Sequence, residues 1–169
     1  DGSTDIMAQR YLANGNVNGD AFRVNNKTDL DQFAPTISMN AQGQFVMAWV
    51  SNHPAADPET QDADSEKSIF TQWFAANGQS VGDEVLVHRY VKDGQESPAV
   101  GIDAEGRFVV AWQSINQDGN SWGVFARRFN SDKTPLDRRE FVVNESRMGP
   151  QRFAGLGVDE MGRFVIAWQ

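Results

Sequence analysis

Apolar residues come in short bursts along this chain, and Gly, Asn and Asp break the bursts apart. No stretch carries apolar residues at a 3.6-residue spacing with capping residues at its ends, so essentially no helix is predicted. The bursts are short and rich in Val, Ile, Phe and Trp, which predicts β-strands. The clearest burst occurs three times: Asn40-Ala-Gln-Gly-Gln-Phe-Val-Met-Ala-Trp49, Asp103-Ala-Glu-Gly-Arg-Phe-Val-Val-Ala-Trp112 and Asp159-Glu-Met-Gly-Arg-Phe-Val-Ile-Ala-Trp168. Such self-similarity governs architecture before any other signal.

The repeat extends beyond that motif. Gln32, Gln95 and Gln151 each precede the turn glycine (Gly43, Gly106, Gly162) by eleven residues. A second block reads Ile6–Tyr11, Ile69–Phe74 and Val124–Phe129, and a third reads Phe22–Asn25, Val85–His88 and Phe141–Asn144. Each unit therefore predicts four strands. Strand a is Pro35–Asn40 or Pro98–Asp103, and strand b is Phe45–Val50 or Phe108–Ser114. Strand c is Ile69–Ala75 or Val124–Asn130, and strand d is Val85–His88 or Phe141–Asn144. The Asn/Asp-x-x-Gly link between a and b suits a tight hairpin with glycine in the left-handed region.

Strand b is apolar on both faces, as expected of a sheet packed between two others. The core of the repeat is expected at Phe45, Trp49, Phe108, Trp112, Phe164 and Trp168, with small Ala48, Ala111 and Ala167 leaving room for the adjacent sheet. Four-stranded antiparallel units that pack on their neighbours make an all-β, propeller-like array. About three blades are expected, cut mid-blade: strands c-d in 1–31, full blades in 32–94 and 95–150, and strands a-b in 151–169. Two completions are open. The half blades could pair within the chain, closing a ring of three blades. They could instead pair with another chain or with the rest of a longer precursor, and this second reading is preferred because three blades would crowd the axis. The start at Asp1, without Met, is consistent with a processed chain or a piece of a longer one.

The pattern is best kept by Pro98, Val100, Asp103, Gly106, Phe108, Val109, Val110, Trp112, Asp118, Gly119, Phe129, Phe141, Val143 and Asn144. It resembles the tandem β-propeller-type repeats of large bacterial secreted and surface proteins, including adhesin-like ones. Departures are Arg127 where the pattern has Gln, Ala154 where it has Pro, and a long loop after Trp49. The resemblance implies an extracellular or cell-surface, non-enzymatic module, structural or adhesive, which joins itself or partner subunits through its blades. A carbohydrate- or calcium-binding propeller is the alternative.

A net charge of −8 argues against nucleic acid and anionic membranes. No apolar run nears the roughly 20 residues of a membrane-spanning helix. Zero cysteines remove disulfides and thiolate chemistry. Gly78-Gln-Ser-Val-Gly82 matches the nucleophile-elbow pattern but falls in the c–d hairpin, where a turn is expected instead of a catalytic serine. His53 and His88 are the only histidines; His88 aligns with Asn25 and Asn144 at a strand end and His53 lies in the inserted loop, so no catalytic triad or His-based metal site is expected. The acids Asp57, Glu59, Asp62, Asp64 and Glu66 could supply some calcium ligands, but the segment lacks a complete pattern and is expected to be a solvated, mobile loop. Asp118-Gly119-Asn120 is expected to be a turn. Asn26 and Asn144 begin glycosylation sequons. Trp73 and Trp122 lie off the repeated Trp position and are the candidates for stacking on a sugar. No catalytic group and no resident cofactor is expected.

Overall fold

The structure, a computed structural model, describes residues 2–53 and 64–169. Twelve strands occur among them and no helix. β1 (Met7–Ala8) and β2 (Phe22–Arg23) form a hairpin. β3 (Gln32–Met39), β4 (Phe45–Ser51), β5 (Asp64–Phe74) and β6 (Val85–Leu86) form an antiparallel blade. β7 (Lys92–Ile102), β8 (Phe108–Ile115), β9 (Trp122–Phe129) and β10 (Phe141–Val142) form the next. β11 (Gly155–Val158) and β12 (Phe164–Ala167) form a closing hairpin. The order c-d, a-b-c-d, a-b-c-d, a-b follows the repeat. The described residues form an arc and not a closed ring, and the two hairpins pair as separate sheets.

Strand b shows why the arc holds together. Phe45, Met47 and Trp49 of β4 pack against Ile6 and Val24 of the first hairpin region. Val46, Ala48 and Val50 face the other way, onto Val100, Ile102, Phe108 and Trp112 of the next blade. One blade on, Val109 and Ala111 pack against Leu156, Val158 and Ile166 of the last hairpin. The period-2 pleat thus sends alternate residues of one strand into two different cores. Trp49 and Trp112 are fully buried. Phe45 stacks on Phe74 and Phe108 on Phe129, with centroids 4.8 and 4.9 Å apart. Ala48 and Ala111 are fully buried at the expected close approaches. Phe164 and Trp168 depart from the expected core: both are exposed, because β12 has no strand c beside it among the described residues.

The a–b turns form as expected. Gly43, Gly106 and Gly162 have φ of 78°, 81° and 81°, and each donates its amide to the carbonyl of the Asn or Asp three residues before. The carboxylates of Asp103 and Asp159 accept two backbone amides each within the turn.

Three boundaries differ from the pattern. Strand a starts earlier, because a bulge carries the ladder past Pro35 and Pro98, which have no amide to donate, back to Gln32 and Gln95; parallel pairing with β5 extends β7 further, to Lys92. Strand d is only two residues long, although Val87 and Val143 just beyond it still donate their amides to the Ile69 and Val124 carbonyls of strand c. Strand c of the first full blade begins at Asp64, so the end of the expected acidic loop is strand, paired in parallel with β7. The acids Asp57, Glu59 and Asp62 lie outside the described residues.

Candidate functional site

At one end of the blades strand d hands over to strand a. This end has a repeated irregularity. Ala34, Ser97 and Phe153, each two residues after the repeated Gln, have φ of 51°, 51° and 56°. A left-handed backbone at a non-glycine residue is uncommon and must be held in place by its surroundings. The buried glutamines do part of that work. Gln32 accepts a hydrogen bond from Trp49 Nε1 at 2.9 Å and donates to the Leu30 carbonyl. Gln95 and Gln151 donate to the carbonyls of Lys92 and Met148. One amide side chain thereby pins each d–a loop.

A glutamate pins the same loops from the neighbouring blade. Glu140, just before β10, accepts from the backbone amides of Arg89 and Tyr90 and from Gln117 Nε2. Glu84, its equivalent one blade earlier, accepts from the Asn26 amide. Strand c contributes a third latch. Gln9 and Gln72 donate to the Gly19 and Gly82 carbonyls of their own c–d loops. Arg127, the departure from the pattern, makes the same kind of latch to Asp137 and Arg138, and reaches the Val87 carbonyl of the preceding blade as well.

Two seams at this end carry half-buried side chains of mixed character. In the first, Lys67 of β5 pairs with Glu96 of β7 and lies 5.8 Å from the Phe33 ring centroid. In the second, the equivalent positions are Trp122 of β9 and Arg152, and the guanidinium lies 4.9 Å over the indole. Nearby, Tyr90 Oη sits 3.5 Å from Asp93, whose φ is 56°. Partial burial, with Asp93 adding to it, raises the Tyr90 pKa. The result is a polar surface with one cation–π pair at each seam. Such surfaces suit flat, hydroxyl-rich ligands, which stack on an aromatic face and hydrogen-bond at their rim.

The sequence candidates distribute as follows. Ser80 is exposed in the c–d hairpin, bridged to Phe74, with no helix following, so it is a turn residue. His88 is fully buried, its Nδ1 2.7 Å from the Tyr90 carbonyl; burial pushes its pKa down to about 4. It is therefore a neutral core group. His53 lies 3.9 Å from Asp29, far along the chain from His88. Asp118 caps its own turn by accepting from the Asn120 amide. Asn144 is buried, with its amide donating to the Ser146 carbonyl and to Gln151, while Asn26 is exposed. Trp73 is partly buried against the core between the two full blades, beside the Gly106 turn. Trp122 alone of the two stacking candidates reaches the loop-bearing end. No group of three or more metal-ligating side chains occurs among the described residues. Sequence reasoning missed Glu96, Arg152 and the glutamate clamp. The only available signal was that Glu84 and Glu140 share a phase of the repeat.

No protein-family model matches the chain, and no curated protein does. Solved structures similar in fold include two carbohydrate-cleaving enzymes. A thermostable family-43 glycoside hydrolase matches at TM-score 0.50 and 12% identity, over 95% of this chain and 59% of that one. The endo-arabinase from Bacteroides thetaiotaomicron VPI-5482 matches at TM-score 0.50 and 14% identity, over 93% of this chain and 57% of that one. The chain thus spans less than two thirds of the length of either. The expectation of a non-enzymatic module is corrected by these neighbours, since both are carbohydrate-cleaving enzymes by name. The physical reason is that the repeat encodes the blades. An active site on such a scaffold is built once, from positions that do not repeat, so the absence of a repeated catalytic constellation excludes nothing. At identities this low the likeness is one of fold: an all-β arrangement of the β-propeller type.

Proposed function

We propose that this chain is a carbohydrate-active β-propeller segment that takes a glycan across the end formed by the pinned d–a loops. The fold likeness to two glycoside hydrolases over nearly the whole chain is the observation that carries the reading. The half-buried seams support this choice of end: Trp122 under Arg152 offers a stacking platform, and Glu96 with Lys67 offers hydrogen-bonding groups on the adjacent seam. A location outside the cell, where polysaccharide is met, belongs to the same proposal. A glycan array followed by calorimetry on the hits tests it. Binding that Trp122→Ala weakens about fivefold or more supports the site, since loss of one stacking contact is worth about 1 kcal/mol. A blank array across plant, bacterial and animal glycans refutes it.

Hydrolysis is the reaction that the neighbours' names favour. Asp93 and Glu96, on one strand at this end, are the carboxyl groups it would draw on. The backbone of Asp93 is held in a left-handed conformation, a form of strain that clusters at functional sites. Release of reducing ends from polysaccharides, abolished in Asp93→Asn or Glu96→Gln while binding persists, supports that assignment. Hydrolysis untouched by both changes refutes it.

A further inference from the structure

Between the two full blades, one unit of the repeat leaves buried polar atoms unpaired where the other units bond theirs. Each unit places three residues in the same phase: a residue at the end of strand d, the glutamine seven positions later and the tryptophan of strand b. They are Asn25, Gln32 and Trp49 in the first, His88, Gln95 and Trp112 in the second, and Asn144, Gln151 and Trp168 in the third. In the first, Trp49 Nε1 donates to Gln32 Oε1 at 2.9 Å. In the third, Asn144 Nδ2 donates to Gln151 Oε1 at 3.2 Å. Side chains at these positions thus come close enough to bond directly. In the second unit neither bond forms. His88 Nε2, Gln95 Oε1 and Trp112 Nε1 are buried with no hydrogen-bond partner among the described residues. Their side chains belong to residues no more than 1% exposed.

The histidine causes this difference. Its Nδ1 lies 2.7 Å from the Tyr90 carbonyl, as Asn25 Nδ2 meets the Lys27 carbonyl and Asn144 Nδ2 the Ser146 carbonyl. A carbonyl only accepts, so Nδ1 carries the proton of the neutral ring and Nε2 presents a lone pair. Gln95 is oriented by its own loop: its Nε2 donates to the Lys92 carbonyl, which leaves Oε1 as the acceptor. Two acceptors cannot bond each other. The Trp112 N–H is the one donor among the three atoms and can serve only one of them. Buried polar atoms left unpaired are costly, and protein interiors pair nearly all of them, with ordered water where no protein group reaches.

We propose that one buried water bridges the three residues, accepting from Trp112 Nε1 and donating to His88 Nε2 and Gln95 Oε1. The hydrogen-bond count closes. One donor and two acceptors on the protein meet one acceptor and two donors on the water, and about three bonds are usual for an internal water. A metal cation does not fit, because the indole N–H faces the site and two neutral atoms fall short of the roughly four to eight ligands such ions take. An apolar group would leave all three atoms unpaired. Gln95 follows the d–a loop that carries Tyr90 and Asp93. The water therefore ties that loop to strand b through Trp112 and to the end of strand d through His88.

The test combines a high-resolution crystal structure with NMR cross-relaxation between water and the tryptophan indole protons. The expected crystal structure has a water within about 3.2 Å of all three atoms. In solution the Trp112 indole proton should show contact with a water that outlasts the tumbling of the protein. The Trp49 indole proton, bonded to Gln32, should show none and serves as the control within the same chain. His88→Asn installs the residue that the other two units carry. Its amide should donate to Gln95 as Asn144 does to Gln151, and the water signal at Trp112 should disappear. A direct bond from Trp112 Nε1 to Gln95 Oε1 in the native chain, with no water at His88 Nε2, overturns the proposal. A native Trp112 indole without a long-lived water contact does the same, and so does a signal that persists unchanged in folded His88→Asn.

Discussion

Acidification should destabilise this fold through one histidine. His88 occupies the strand-d position held by Asn25 and Asn144 in the other two units. It is fully buried, tilted 6.4 Å from the Trp112 ring, with Nδ1 against the Tyr90 carbonyl. Burial is the largest influence on it; the Tyr90 carbonyl and Glu140 favour its protonated form, and Arg127 opposes it. Together they lower its pKa from the ordinary 6.5 to about 4. The unfolded chain therefore takes up a proton near pH 6.5, and the folded chain only near 4. Between those values the unfolded state binds more protons, so stability falls as pH falls. Each pH unit in that window removes about 1.4 kcal/mol, or about 3 kcal/mol by pH 4. The assay is urea unfolding followed by Trp fluorescence from pH 7 to pH 4, for the native chain and for His88→Asn. Asp132, Asp137 and Asp159, each lowered by a hydrogen-bonded or charged partner, lose stabilisation in acid in both proteins. The difference between the two curves therefore isolates His88. It should change by about 3 kcal/mol in favour of the variant on going from pH 7 to pH 4. Parallel curves would refute the reasoning.

Three further outcomes follow from the packing. Gln32→Leu leaves the buried Trp49 indole N–H without its acceptor and frees the d–a loop; it should cost about 1–3 kcal/mol in denaturant midpoint analysis, and a cost near zero would remove the pinning role. Glu140→Ala removes the acceptor for two amides and Gln117, and should raise hydrogen exchange at Arg89 and Tyr90 with a loss of about 1–3 kcal/mol. Gly101→Ala places a methyl carbon 2.2 Å from a Val158 methyl. It should push the last hairpin off the full blade beside it, costing about 1–3 kcal/mol with faster exchange confined to β11 and β12.

Much of the fold was legible because the blade is a local, repeating solution. The pleat makes strand b apolar on both faces, and that alone announces stacked sheets. The Asn/Asp-x-x-Gly spacing fixes the a–b hairpin, and Gly43, Gly106 and Gly162 adopt the conformation it requires. The site was less legible, because it does not repeat. Lys67 with Glu96 and Trp122 with Arg152 hold equivalent positions but share no residue type, so alignment hides them. The same blindness led to the expectation of a non-enzymatic module.

The chain's sequence by itself determined the unit: four short strands, where they turn, and which residues of strand b must be buried. Tertiary structure decided what each unit meets. It buried Trp49 and Trp112 but left Trp168 exposed, although all three follow the same Gly-x-Phe-Val-x-Ala pattern. The physical reason is that burial belongs to a pair of surfaces. A strand's pattern states what it can cover, and only the neighbouring blade decides whether it is covered.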